Sequence, residues 1–178
     1  CIVALPEHLK DADRFAPMPY RIATYGQLLD QPLTFHDGRG PDIFHAWTPR
    51  ERVRKFHDRL AKSHGFRTII HLEDNEAHIA RVAMGESRWR AACADRLPFA
   101  YPDHLTSPVH APGFFSRASG VTLLIDRLAE CIPVELPYRV FWPAIDRSIF
   151  HPRPRNDALR TTLGIGPQEI VLCYHGNM

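Results

Sequence analysis

The sequence predicts an α/β fold, a parallel sheet with helices on both faces. Three observations carry that prediction. Short apolar runs alternate with segments of helical period, the pattern of strands joined by crossover helices rather than by hairpins. The 178 residues are 44% hydrophobic and 24% charged, the balance of a soluble globular chain. A chain of this size hides about 70% of its unfolded surface, so one core can hold it without cross-links. No apolar stretch approaches the ~20 residues of a membrane span, and no repeat or low-complexity tract interrupts the alternation.

Residues 1–5 and 20–24 are apolar runs that read as the first two strands. Asp37, Gly38, Gly40 and Pro41 mark a turn, and 42–46 is the third strand. A helix over 49–64 follows. Thr48 stands where an N-cap belongs, Pro49 suits the first helical position, Glu51 completes a capping box and Gly65 stops the helix. Val53, Phe56 and Leu60 recur along one of its faces. Residues 67–72 are the next strand, after which an acidic turn opens a helix that ends near Gly85. From 86 to 119, Pro98, Pro102, Pro108 and Pro112 predict short helices and a long exposed connection. A strand at 120–125, a short helix at 126–131 and a strand at 138–142 come next. A proline-bearing connector over 150–155, a short helix over 157–163 with Gly164 after it, and a last strand at 169–175 finish the chain. Apolar strands at both ends suggest a piece of a longer protein, with one domain over 1–150 and the start of a second over 151–178.

Net charge is +2 with histidine neutral, which excludes a strongly basic nucleic-acid arm or an acidic tail, so no nucleic-acid partner is expected. Cys1, Cys93, Cys131 and Cys173 stand far apart, which suits reduced thiols better than a disulfide framework. His57, His64, His71 and His78 recur every seven residues but fall across helix, turn, strand and helix. No one face gathers them, and neither a metal nor a cofactor is expected. No Walker loop, GxGxxG, HExxH or GxSxG is present.

Parallel sheets bind ligands beyond the carboxyl ends of their strands. The third strand is followed there by His45, Trp47, Thr48 and Arg50, the fourth by His71, Glu73, Asp74, Asn75 and Glu76, and the last by His175, Gly176 and Asn177. Each has a structural reading as well: His45 and His71 as satisfied strand imidazoles, Asp74 or Asn75 as a helix cap, Trp47 as a packing residue. Their accumulation along one edge favours a ligand site. The helix over 49–64 sets Arg50, Arg52, Arg54, Lys55, Arg59 and Lys62 against Glu51 and Asp58. Such a surface is either a solvated face or one that meets anionic lipid or a phosphorylated substrate.

One stretch carries a likeness. Phe141-Trp142-Pro143-Ala144-Ile145-Asp146 is followed by Phe150-His151-Pro152, by Leu159-Arg160 and Leu163-Gly164-Ile165, and by Val171-Leu172-Cys173-Tyr174-His175-Gly176-Asn177. In that order it resembles the inter-domain segment of family 4 glycosyltransferases, which have the GT-B fold of two Rossmann-like domains. Pro41-Asp42-Ile43-Phe44-His45-Ala46-Trp47 and Ile69-Ile70-His71-Leu72-Glu73-Asp74 look, more loosely, like two strands of that family's first domain. The family's first strand and its Gly-rich loop have no counterpart here, and neither do the donor-binding motifs of its second domain.

The resemblance implies an acceptor-side, Rossmann-like domain truncated at both ends. It implies a cytoplasmic enzyme, working at the inner face of the membrane in polysaccharide synthesis, that moves a sugar from a nucleotide-sugar donor to a glycan or lipid-linked acceptor with retention. His45, Trp47, Arg50, His71, Asp74 and Asn75 would contact acceptor, Gly176 and Asn177 would approach donor, and the catalytic residues would lie in the absent second domain. The helix over 49–64 would provide any peripheral membrane contact. Two other readings share the architecture: a GT-B nucleotide-sugar epimerase and a non-enzymatic, flavodoxin-like binding module.

Overall fold

In the computed structural model, the residues described are 1–7, 19–30, 33–142, 144, 146–148 and 150–172. The chain divides into two compact units, Cys1–Pro143 and Ala144–Met178. The first unit is an α/β, Rossmann-like fold. Its strands are β1 (Ile2–Leu5), β2 (Arg21–Thr24), β3 (Ile43–Trp47), β4 (Arg67–Leu72), β5 (Gly120–Leu123) and β6 (Tyr138–Val140). Its helices are α1 (Tyr25–Asp30), α2 (Glu51–Leu60), α3 (Glu76–Met84), α4 (Glu86–Cys93) and α5 (Ala111–Phe115), with a 3-10 helix at Asp126–Cys131.

Strands β3, β4, β5 and β6 form an all-parallel sheet in chain order, flanked by helices, and β1 and β2 form a separate parallel pair. Parallel neighbours need crossover connections. Here α2 spans β3 to β4, α3 to α5 span β4 to β5, and the 3-10 helix spans β5 to β6.

Alternation along each strand sorts the side chains. Ala46, Ile70, Leu72, Val121 and Leu123 point to one face and join Val53 of α2, Phe114 and Phe115 of α5, and Leu128 of the 3-10 helix in the main core. A second cluster holds Ala23, Leu28, Leu33, Phe56 and Leu60. Phe44 packs against both clusters, so α2 and β3 tie the β1–β2 pair to the larger sheet. Ile43, His45 and Trp47 take the opposite face of β3, where all three are exposed, Ile43 at 62% and Trp47 at 56%.

Several elements depart from the sequence reading. Helix α1 was not anticipated, and α2 stops at Leu60, with a turn over 61–63 instead of helix to His64. Thr48 is no N-cap: it sits in the left-handed region at φ 69°. The residue before the helix is Arg50, which makes no side-chain cap. The first N–H groups of α2 instead donate to carbonyls of a distant loop, Glu51 to Leu105 at 3.0 Å and Arg52 to Asp103 at 2.8 Å. That loop is therefore not wholly exposed, and Leu105, Thr106 and Ser107 are buried.

In the second unit, α6 (Asp157–Thr162) is capped by Asn156, whose side chain accepts the Leu159 N–H at 2.9 Å. No residue of α6 is buried. Residues 169–172, expected to begin a strand, are in no strand, and Ile170 and Leu172 are almost fully exposed. A strand needs a ladder partner, and none of the described residues supplies one there. The rest of that segment lies outside the described residues.

Candidate functional site

Because β3, β4, β5 and β6 are parallel, their carboxyl ends share one edge, and the side chains near it on the face opposite the main core meet, exposed on β3 and buried on β4 and β5. His45 and Trp47 come from β3, His71 from β4 and Thr122 from β5. The register sets Trp47 beside His71 and His71 beside Thr122. The Trp47 and His71 rings lie 4.4 Å apart with a 36° tilt, and the His45 ring stands nearly perpendicular to that of His71 at 5.9 Å.

Thr122 joins the two histidines. Its Oγ1 lies 2.8 Å from His71 Nδ1 and 3.2 Å from His45 Nε2. A hydroxyl has one proton and two lone pairs, so at most one of the two imidazoles accepts from it and at least one donates to it. Burial lowers the pKa of both rings. For His45 the neighbouring His71 adds to the shift, and for His71 the Glu73 carboxylate opposes it. Both imidazoles are therefore neutral near pH 7. Neither His45 Nδ1 nor His71 Nε2 has a partner among the described residues. A neutral ring nitrogen beside an exposed indole face can exchange a hydrogen bond with a ligand hydroxyl while the indole stacks on an apolar ligand face.

The other expected site residues are placed differently. Arg50 reaches across to the start of α3 and binds Glu76 bidentately, with Nε and an Nη each 3.0 Å from a carboxylate oxygen. Glu76 is buried and also accepts from the Thr106 hydroxyl at 2.9 Å. The Arg50 guanidinium thus fastens α2 to α3. Asn75 caps α3, its side chain accepting the His78 N–H at 2.9 Å. Asp74 is exposed, and among the described residues no contact ties its side chain to the His45–Trp47–His71 group. Gly176 and Asn177 lie outside the described residues. Thr122 was missed by the sequence reading, although period-two alternation with Val121 and Leu123 on the core face already sets it opposite them.

Among the described residues no group of three His, Cys, Asp or Glu side chains has the arrangement to hold a metal ion, and no helix is long and apolar enough to cross a membrane. Comparison with protein-family models, with curated proteins and with solved structures gives no match to the chain.

Proposed function

We propose that the chain is the acceptor-side domain of a glycosyltransferase of GT-B architecture, which transfers a sugar from a nucleotide-sugar donor to an acceptor hydroxyl. The observation that carries this reading is the group formed by the exposed Trp47 and His45 with the buried His71 at the carboxyl ends of an all-parallel sheet. Ligands of such sheets bind there. The likeness of 141–177 to an inter-domain crossing adds to it. In this reading Trp47 stacks on a sugar ring, the free nitrogens of His45 and His71 orient acceptor hydroxyls, and Asp74 offers a carboxylate at the next loop. Arg50 and Asn75 act one step back, holding the starts of α2 and α3 that carry these loops. Catalysis itself belongs to a donor-binding domain outside these residues.

Saturation-transfer NMR of the 178-residue chain with a panel of neutral mono- and disaccharides tests the acceptor site. Saturation of sugar ring protons that disappears in Trp47→Ala, with the circular dichroism unchanged, supports the reading. In a polypeptide that also carries the donor domain, His71→Ala should slow single-turnover transfer roughly ten- to a hundredfold and leave nucleotide-sugar affinity unchanged. Reduced stability with normal turnover would remove His71 from the site.

A further inference from the structure

Helix α2 carries its cations on two faces. Arg54 is spent on Glu51 at 2.7 Å and Asp58 at 2.8 Å, as Arg50 is on Glu76. Arg52, Lys55 and Arg59 follow at steps of three and four, which aligns them on one outward face, and Lys62 lies in the turn just after the helix. Lys55 pairs with Asp103 at 2.5 Å, whereas Arg52, Arg59 and Lys62 have no carboxylate partner among the described residues.

They do not stand on a flat ridge. Arg52, Lys55 and Arg59 line a cleft of about 260 Å³ between α1 and α2. Its apolar wall is Leu29 with the stacked rings of Tyr25 and Phe56, 4.0 Å apart and 2° from parallel. One side is held fixed by the Asp103 carbonyl, which accepts from Arg52 N–H. Pockets for drug-sized ligands run to roughly 300–1,000 Å³, so this one suits a compact group. Guanidinium forks match phosphoryl oxygens two at a time, and an apolar wall lowers the local dielectric and strengthens the pairing. Glu7 also lines the cleft. A concave site of this size fits a discrete phosphoryl group better than the headgroup plane of a bilayer.

We propose that this cleft binds the phosphoryl group of a soluble ligand, with Arg52 and Arg59 as its principal donors. It is separate from the strand-end group of His45, Trp47 and His71, and it stands or falls independently of glycosyl transfer.

Inorganic pyrophosphate titrated calorimetrically into the 178-residue chain is the test. The expected result is one saturable site that weakens as salt rises. Arg52→Gln and Arg59→Gln should each weaken it about tenfold, the scale of one lost charge-assisted hydrogen bond, with circular dichroism unchanged. Asp103→Asn, which removes a carboxylate facing the same cations, should tighten it. Absence of saturable binding, or wild-type affinity in both arginine variants, overturns the proposal. Phosphatidylglycerol vesicles form the second arm. Binding to vesicles without binding of pyrophosphate also overturns it, and displacement from vesicles by pyrophosphate supports it.

Discussion

The Thr122 hydroxyl serves two ring nitrogens at once, and Thr122→Val, which keeps the shape, leaves the buried His71 Nδ1 without a partner. The expected cost is about 1–3 kcal/mol in urea denaturation. A second residue-scale test concerns protons. Burial lowers the pKa of His45, His57 and His71 below the ordinary 6.5. The unfolded chain therefore binds more protons than the fold between about pH 6.5 and the lower folded values. Stability is full above that window and falls as pH drops through it, by at most about 1.4 kcal/mol per pH unit for each proton. His57 is buried, with Nε2 at 2.9 Å from the Thr68 hydroxyl, so His57→Gln should flatten the dependence when midpoints at pH 7.5 and 5.5 are compared. Arg50 supplies a third test. Arg50→Ala leaves the Glu76 carboxylate buried without a counter-ion, at a cost of about 3 kcal/mol. Adding Glu76→Gln should recover much of it. The sequence marked His45, Trp47 and His71 because they accumulate at the carboxyl ends of two predicted strands, where parallel sheets bind ligands. Arg50's partner was not legible, because no local rule pairs it with a residue on another helix.

Elements were legible where their pattern is self-contained. The runs that became β3, β4 and β5 read correctly because alternate residues must enter one core, and Val53, Phe56 and Leu60 disclosed the inner face of α2. The start of α2 was misread because its acceptors come from Asp103 and Leu105, far along the chain. Helix α1 was legible and overlooked. Thr24 and Gln27 form a reciprocal capping box, the Gln27 N–H donating to the Thr24 hydroxyl at 3.2 Å and the Thr24 N–H to the Gln27 side chain at 2.9 Å. These caps separate experimentally. Asn75→Ala removes a real cap and should cost about 1 kcal/mol. Thr48→Gly should cost less, because it relieves a left-handed threonine, unfavourable by about 1–2 kcal/mol, against the side chain's lost burial.

At the scale of the whole molecule, two apolar clusters share one strand and one helix. Phe44 of β3 touches both, and α2 gives Val53 to the first and Phe56 and Leu60 to the second. Unfolding of the first unit should therefore be a single cooperative step, since neither cluster can lose α2 without exposing the other. Every residue of both clusters lies within Cys1–Pro143. In the second unit α6 buries none of its residues, and Ile170 and Leu172 are about nine-tenths exposed. Burial of apolar surface sets both the stability and the denaturant slope, so the described residues of this unit should contribute little to either. A chain ended at Pro143 is therefore expected to unfold in urea with the midpoint and slope of the full 178 residues. Equal midpoints with equal slopes would place the whole cooperative core before that point. A lower midpoint or a smaller slope in the shortened chain would mean that the second unit shares in the core, and that the boundary between the units is not a boundary in stability.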